Sequence, residues 1–169
     1  MAIVKITSFT KNRGAAKASI RYITHRPGED GRVISRPLYT FDGEVSKLEG
    51  YQMIDEAQKG SVFFRIVISP DAKQEDTRRD LYLSQITEQT VLTLEERLNT
   101  QIPFIAVEHN DHTGNRHVHL IACLKGRIEK GDLKALRDSA THAAQQQRQE
   151  RDQVLQARAL AVEEAQWAY

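Results

Sequence analysis

The chain has 169 residues, 40% of them hydrophobic and 28% charged, with a formal net charge of +1; this is the make-up of one soluble globular domain. A lone cysteine, Cys123, excludes an internal disulfide scaffold. Apolar runs such as residues 102–107 fall far short of the roughly 20 residues a membrane helix needs.

The elements follow in chain order. The N-terminus, Met1-Ala-Ile-Val-Lys5, lacks the core of a signal peptide, so a cytoplasmic location is expected. Residues 2–9 alternate as a strand with Ile3, Val4 and Ile6 as its apolar members. After a polar loop, the Ala-rich stretch 15–25 predicts a helix, ended by Arg26-Pro27-Gly28. Gly31, Pro37 and Gly43 make 29–50 irregular, with room for a small hairpin. A short helix is predicted over 51–59, closed by Gly60.

Residues 61–69 are nearly continuous apolar, β-branched or aromatic, the mark of a strand buried on both faces, and Pro70 ends it. Leu81, Ile86, Leu94 and Leu98 predict a long helix over 75–100. Two more strands, 103–108 and 117–124, flank a turn-rich segment. Residues 132–167 read as a helix whose Gln- and Arg-rich part, 144–153, is solvated. That helix reaches Tyr169 without a stop signal, a pattern compatible with an N-terminal fragment of a longer protein. The order of elements predicts an α+β fold, an antiparallel or mixed sheet backed by helices.

Charge is uneven along the chain. Residues 1–40 carry eight Lys and Arg against two acids, and residues 41–101 carry seven against twelve. The near-neutral total conceals a basic first quarter, which suggests a polyanion-binding face; an unevenly charged solvated surface is the plainer alternative.

Four of the six histidines fall within eleven residues, from His109 through Asp111, His112, Arg116 and His117 to His119. On a strand, residues i and i+2 share a face, so His117 and His119 project side by side. The hairpin loop returns the chain to bring His117 close to His109. Three imidazoles from adjacent strands fill part of a tetrahedral or octahedral shell and leave positions for water or substrate. Asp111 stands where a carboxylate can hold an imidazole N–H and fix its tautomer, whereas His112 reads as a loop residue facing solvent.

Such a site suits a zinc hydrolase, a cupin-type oxygenase or a phosphodiester enzyme. The cupin arrangement needs a Glu soon after His-x-His, and residues 120–125 have none. A zinc hydrolase needs a general base and a small-molecule cleft, neither visible in the sequence. Phosphodiester chemistry needs a nucleophile near a basic surface, and Tyr22 lies in Ile20-Arg-Tyr-Ile-Thr-His-Arg26, the most basic segment. A phenol, with a pKa of about 10, needs a base or cationic surroundings to react. Otherwise Tyr22 would pack its ring between Ile20 and Ile23 as an ordinary helix residue.

Together these residues resemble the relaxases of mobilisable and conjugative elements, mobilisation nucleases of the His-hydrophobic-His endonuclease superfamily. Three separated motifs carry the resemblance: the strand, Gly-containing loop and helix bearing Arg21-Tyr22-Ile23; Phe64-Arg-Ile-Val-Ile-Ser69-Pro70; and His109-x-Asp111-x5-His117-x-His119. The resemblance implies a single relaxase domain over 1–169. Its central antiparallel sheet would have about five strands, related to the ferredoxin and RRM-like topology, with helices mainly on one face and DNA across the other.

The activity implied is that of a site-specific single-strand DNA endonuclease, nicking at a transfer origin for plasmid or element mobilisation. Tyr22 would attack the phosphodiester and leave a 5′-phosphotyrosyl intermediate. His109, His117 and His119 would hold a divalent ion, Mg²⁺ or Mn²⁺ in the family, although three imidazoles better suit Mn²⁺, Zn²⁺ or Ni²⁺. Asp111 would orient a ligand or help remove the phenol proton, and Ser69 would hold the DNA backbone.

Arg13, Lys17, Arg21, Arg26 and Arg32 would supply phosphate contacts. Arg116, standing where the family often has Pro, would meet another phosphate. His25, one turn after Tyr22, is the second candidate nucleophile, because some relatives use a histidine there. The partners implied are single-stranded DNA at a transfer origin and accessory relaxosome proteins. The alternatives are a rolling-circle replication initiator or transposase of the same superfamily, and a non-catalytic nucleic-acid-binding module. The chain has no Gly-x4-Gly-Lys-Ser/Thr loop, so no helicase half is expected.

Overall fold

The computed structural model describes residues 1–28, 30–110 and 114–168. In chain order the elements are β1 (Ile3–Thr10), α1 (Arg13–Thr24), β2 (Leu38–Thr40), β3 (Gly43–Val45), α2 (Lys47–Asp55), β4 (Val62–Ser69), α3 (Leu83–Leu98), β5 (Phe104–His109), β6 (His117–Leu124) and α4 (Lys130–Trp167). The six strands form one sheet in the order β1-β4-β6-β5-β2-β3, and every neighbouring pair is antiparallel. Two of the six strands come from the small hairpin β2–β3, which joins through Tyr39 opposite Ala106.

Alternation along the strands builds two cores. Val62, Phe64, Ile66 and Ile68 of β4 turn to one face, against Leu83, Ile86, Val91 and Leu94 of α3 and Leu136, Ala140 and Ala144 of α4. The two long helices thus occupy one face of an α+β fold, as the sequence led us to expect. On the other face, Ala16, Ile20 and Ile23 of α1 and Ile54 of α2 cap Phe63, Ile105, Val107, Ile121 and Cys123. Because β4 is covered on both sides, its sequence reads as an unbroken apolar run.

Several boundaries differ from the sequence expectation for local reasons. Helix α1 begins at Arg13 because Asn12 caps it, its side-chain oxygen accepting from Ala15 N at 2.8 Å. Helix α2 starts four residues before 51 because Ser46 and Glu49 form a reciprocal capping box. Helix α3 starts only at Leu83: Asp71 Oδ1 accepts from Lys73 N and Gln74 N, and Asp76 Oδ1 accepts from Leu81 N. Such side-chain acceptors offer the backbone an alternative to the helix. Within 144–153, Ala144 and Arg148 are buried, Arg148 pairing with Asp80 at 2.7 Å and Asp152 at 3.0 Å, while α4 beyond them is largely exposed. Among the described residues no helix is long and apolar enough to cross a membrane.

Candidate metal centre

Sheet register assembles the site. His109 closes β5 directly opposite His117, the first residue of β6, and His119 lies between Val107 of β5 and Val67 of β4. All three turn to the face capped by α1. Each offers a ring nitrogen within 4.8 Å of the others, and the ring centroids are 4.6–5.2 Å apart.

Backbone partners fix which nitrogen of two rings is available. His109 Nε2–H donates to the carbonyl of Ile23 at 2.8 Å, which leaves Nδ1 as the ligating atom. His117 Nδ1–H donates to the carbonyl of Asn115 at 3.1 Å, which makes Nε2 the ligating atom. His119 is buried, and neither of its ring nitrogens has a hydrogen-bond partner among the described residues. A buried polar ring without a partner costs about 1–3 kcal/mol, and a cation shared with the two neighbouring imidazoles removes that cost. The donor set therefore fits a metal ion.

Burial also prepares the ligands. It pushes His109 down to about 4, helped by Arg36, His117 and Arg26 and opposed by the Ile23 bond. It pushes His119 down to about 3, helped by His109, His117, Arg65 and Arg26. Both rings are neutral at pH 7 and keep the lone pairs a metal requires.

Tyr22 sits on the solvent side of α1, 51% exposed, while Ile20 and Ile23 beside it enter the core. Its ring is therefore not an ordinary packing group. The Arg65 guanidinium lies over it at 4.9 Å and that of Arg26 at 5.5 Å. Arg65 stands on β4 two residues before Val67, the register partner of His119, so it shares a face of the sheet with that imidazole. Arg36, itself buried, donates to the carbonyls of Arg26 at 2.8 Å and Ile34 at 3.5 Å and holds the loop that presents Arg26. His25, the second candidate nucleophile, has Nε2 engaged by Lys47 Nζ.

The remaining expected DNA contacts divide. Arg21 is exposed on α1, and Arg32 is exposed beside Asp30 at 3.6 Å. Arg13 instead donates to the carbonyls of Ile54, Asp55 and Ala57 at the end of α2. Lys17 pairs with Asp55 at 2.7 Å. Part of the charge asymmetry in the sequence is thus internal, a basic α1 against the carbonyls and acid of α2. Arg116 is turned to the α3 side and buried, both edges of its fork meeting Asp76 at 2.7 Å and Nη2 also meeting the Leu81 carbonyl at 2.9 Å. Its Nε and Nη2 are thus committed to the α3 side, away from the face that holds the three histidines. Ser69 is buried too, its hydroxyl donating to the Arg116 carbonyl at 3.2 Å. Together these two bonds anchor the residue just before His117.

Asp111 and His112 lie outside the described residues. Arg65 escaped the sequence reading; its signal was the single charge interrupting β4. Compared with known protein families, curated proteins and solved structures, the chain matches none.

Proposed function

We propose that this protein is a relaxase-type nuclease of the cytoplasm that nicks one DNA strand at a transfer origin by transesterification, with accessory proteins assisting there. One observation carries the reading: a buried His119, without a hydrogen-bond partner among the described residues, lies with two further imidazoles on the face capped by α1, the helix whose exposed Tyr22 lies under two guanidiniums. His109 Nδ1, His117 Nε2 and one nitrogen of His119 would hold a divalent ion, with Mn²⁺ the best match to three imidazoles among the ions the resemblance implies. Such an ion, when bound, polarises a phosphoryl oxygen as a Lewis acid.

The chain's own groups do the rest. Tyr22 Oη attacks phosphorus as the bond from phosphorus to the 3′-oxygen breaks. The phenol proton passes to a base, a role open to Asp111, and the departing 3′-oxygen takes up a proton. The products are a 5′-phosphotyrosyl strand and a free 3′-OH, and the reverse reaction reseals them. Arg26 and Arg65, whose guanidiniums lie over the Tyr22 ring, would meet the negative charge of the phosphate. Exposed Arg21 and Arg32 would track the flanking phosphates.

The test is a covalent-adduct assay. Protein, Mn²⁺ and single-stranded DNA carrying the transfer origin are resolved under denaturing conditions, and tryptic peptides are weighed. A nucleotide on the Tyr22 peptide, lost in Tyr22→Phe and in His119→Leu, is the expected result. An adduct on His25 would move the nucleophile. DNA binding with no adduct, in the presence of bound metal, would leave a nucleic-acid-binding module.

A further inference from the structure

We infer that Arg65 and Arg26 form an anion subsite next to the three imidazoles, and that it receives the phosphate to be cut. The identity of the anion rests on the proposed nicking reaction; the need for an anion does not.

Arg65 is the one charged residue of β4, a strand flanked on both sides within the sheet, where it stands opposite Ser8 of β1 and Ile121 of β6. A guanidinium placed there loses hydration and ordinarily finds a carboxylate. Buried Arg116 has Asp76 and buried Arg148 has Asp80 and Asp152, while buried Arg36 donates to the carbonyls of Arg26 and Ile34; Arg65 is half-buried. Arg65 has no such ion pair among the described residues, and its buried Nε has no hydrogen-bond partner there. A second guanidinium, Arg26, is held against the same tyrosine ring rather than kept away.

The consequence is electrostatic. Three neutral imidazoles bring no negative charge to a divalent ion, and the neighbouring arginines add more positive charge. A ligand that supplies negative charge is therefore favoured, and an anion with several acceptor oxygens suits the two guanidiniums. A guanidinium edge presents fixed N–H donors that match phosphate geometry. An anion held by Arg65 and Arg26 also lies beside Tyr22, whose ring both arginines touch. The subsite would thus set the phosphate between the nucleophile and the metal ligands, making Arg65 a substrate-binding residue of the reaction.

Inorganic phosphate is the probe, added to the whole metal-free chain, with the arginine Nε–H resonances followed by NMR. The Arg65 Nε–H signal should shift saturably. Arg65→Gln should weaken phosphate binding by at least about tenfold, the loss a charge-assisted hydrogen bond implies. Arg65→Lys should recover part of it, and Arg127→Gln, an exposed control, none of the loss should appear in. Mn²⁺ affinity should survive in Arg65→Gln, which separates anion binding from metal binding. Should the Gln variant fail to fold, the wild-type titration and Arg65→Lys decide alone. An Arg65 signal unmoved by phosphate, or unchanged affinity in folded Arg65→Gln, overturns the subsite. If phosphate binds at Arg65 but Tyr22 forms no adduct with origin DNA, the subsite stands and the nicking reading fails. If the adduct forms at the wild-type rate in Arg65→Gln, the reverse holds.

Discussion

Leu120 and His119 are neighbours on β6 that face opposite sides of the sheet, and they stand for two different uses of burial. On the α3–α4 side, Leu120 joins a continuous apolar cluster flanked by the doubly hydrogen-bonded Asp76–Arg116 pair. On the α1–α2 side, burial encloses an imidazole and a guanidinium nitrogen that have no hydrogen-bond partner among the described residues. The first face stabilises the fold. The second carries polar groups left without partners among the described residues, the pattern expected where a fold departs from its own packing rules for function.

Substitutions on the two faces should therefore behave differently. The largest effect is expected for Asp76→Ala, which leaves Arg116 buried and unpaired. Breaking such a pair costs about 3–5 kcal/mol in chemical denaturation, and a paired apolar replacement, Asp76→Leu with Arg116→Met, should restore most of it. Leu120→Ala follows, at about 2–5 kcal/mol for a cavity in a packed core. His119→Leu should leave the metal-free protein as stable or slightly more so, because it removes a polar ring that has no partner. The same variant should lose the stabilisation of about 2.7 kcal/mol that Mn²⁺ at a hundredfold excess over its Kd gives a folded protein. A large loss of metal-free stability in His119→Leu would erase the contrast between the faces.

The pH dependence sharpens the same comparison. Folding holds His109 near 4 and His119 near 3, both below the ordinary value of 6.5, so the unfolded chain binds more protons in that range. The stability associated with the neutral rings is complete above about pH 6.5 and is lost as the pH falls toward those folded values. Thermal unfolding of metal-free protein between pH 7 and 5 should show that decline. His119→Leu should flatten it, whereas Leu120→Ala should shift the whole curve without changing its slope.

The smallest expected effect separates solvent-facing from internally paired cations. Arg21→Gln should reduce the salt dependence of single-stranded DNA binding by about 0.7 in the log–log slope. Lys17→Gln, whose ammonium already meets Asp55, should leave that slope unchanged.

Much of this was legible in the sequence because it is local. The apolar run of β4 announces a strand covered on both faces, and His-x-His on a strand fixes a shared face whatever the register. Other features depend on distance in the chain. Arg116 meets Asp76 across 40 residues, so its fork could not be known to be occupied. The role of Arg65 appears only when β1, β4 and β6 are in register and α1 lays Tyr22 over it. The late start of α3 was hidden because Leu81 keeps helical spacing while Asp71 and Asp76 divert the backbone.

The most direct measurement is a Mn²⁺ titration of the metal-free chain, followed by calorimetry and electron paramagnetic resonance. One ion per chain, with nitrogen hyperfine coupling from imidazole and no uptake in His119→Leu, is the expected result. Failure of the wild-type chain to take up the ion, or equal affinity in His119→Leu, would contradict a metal centre built on His109, His117 and His119.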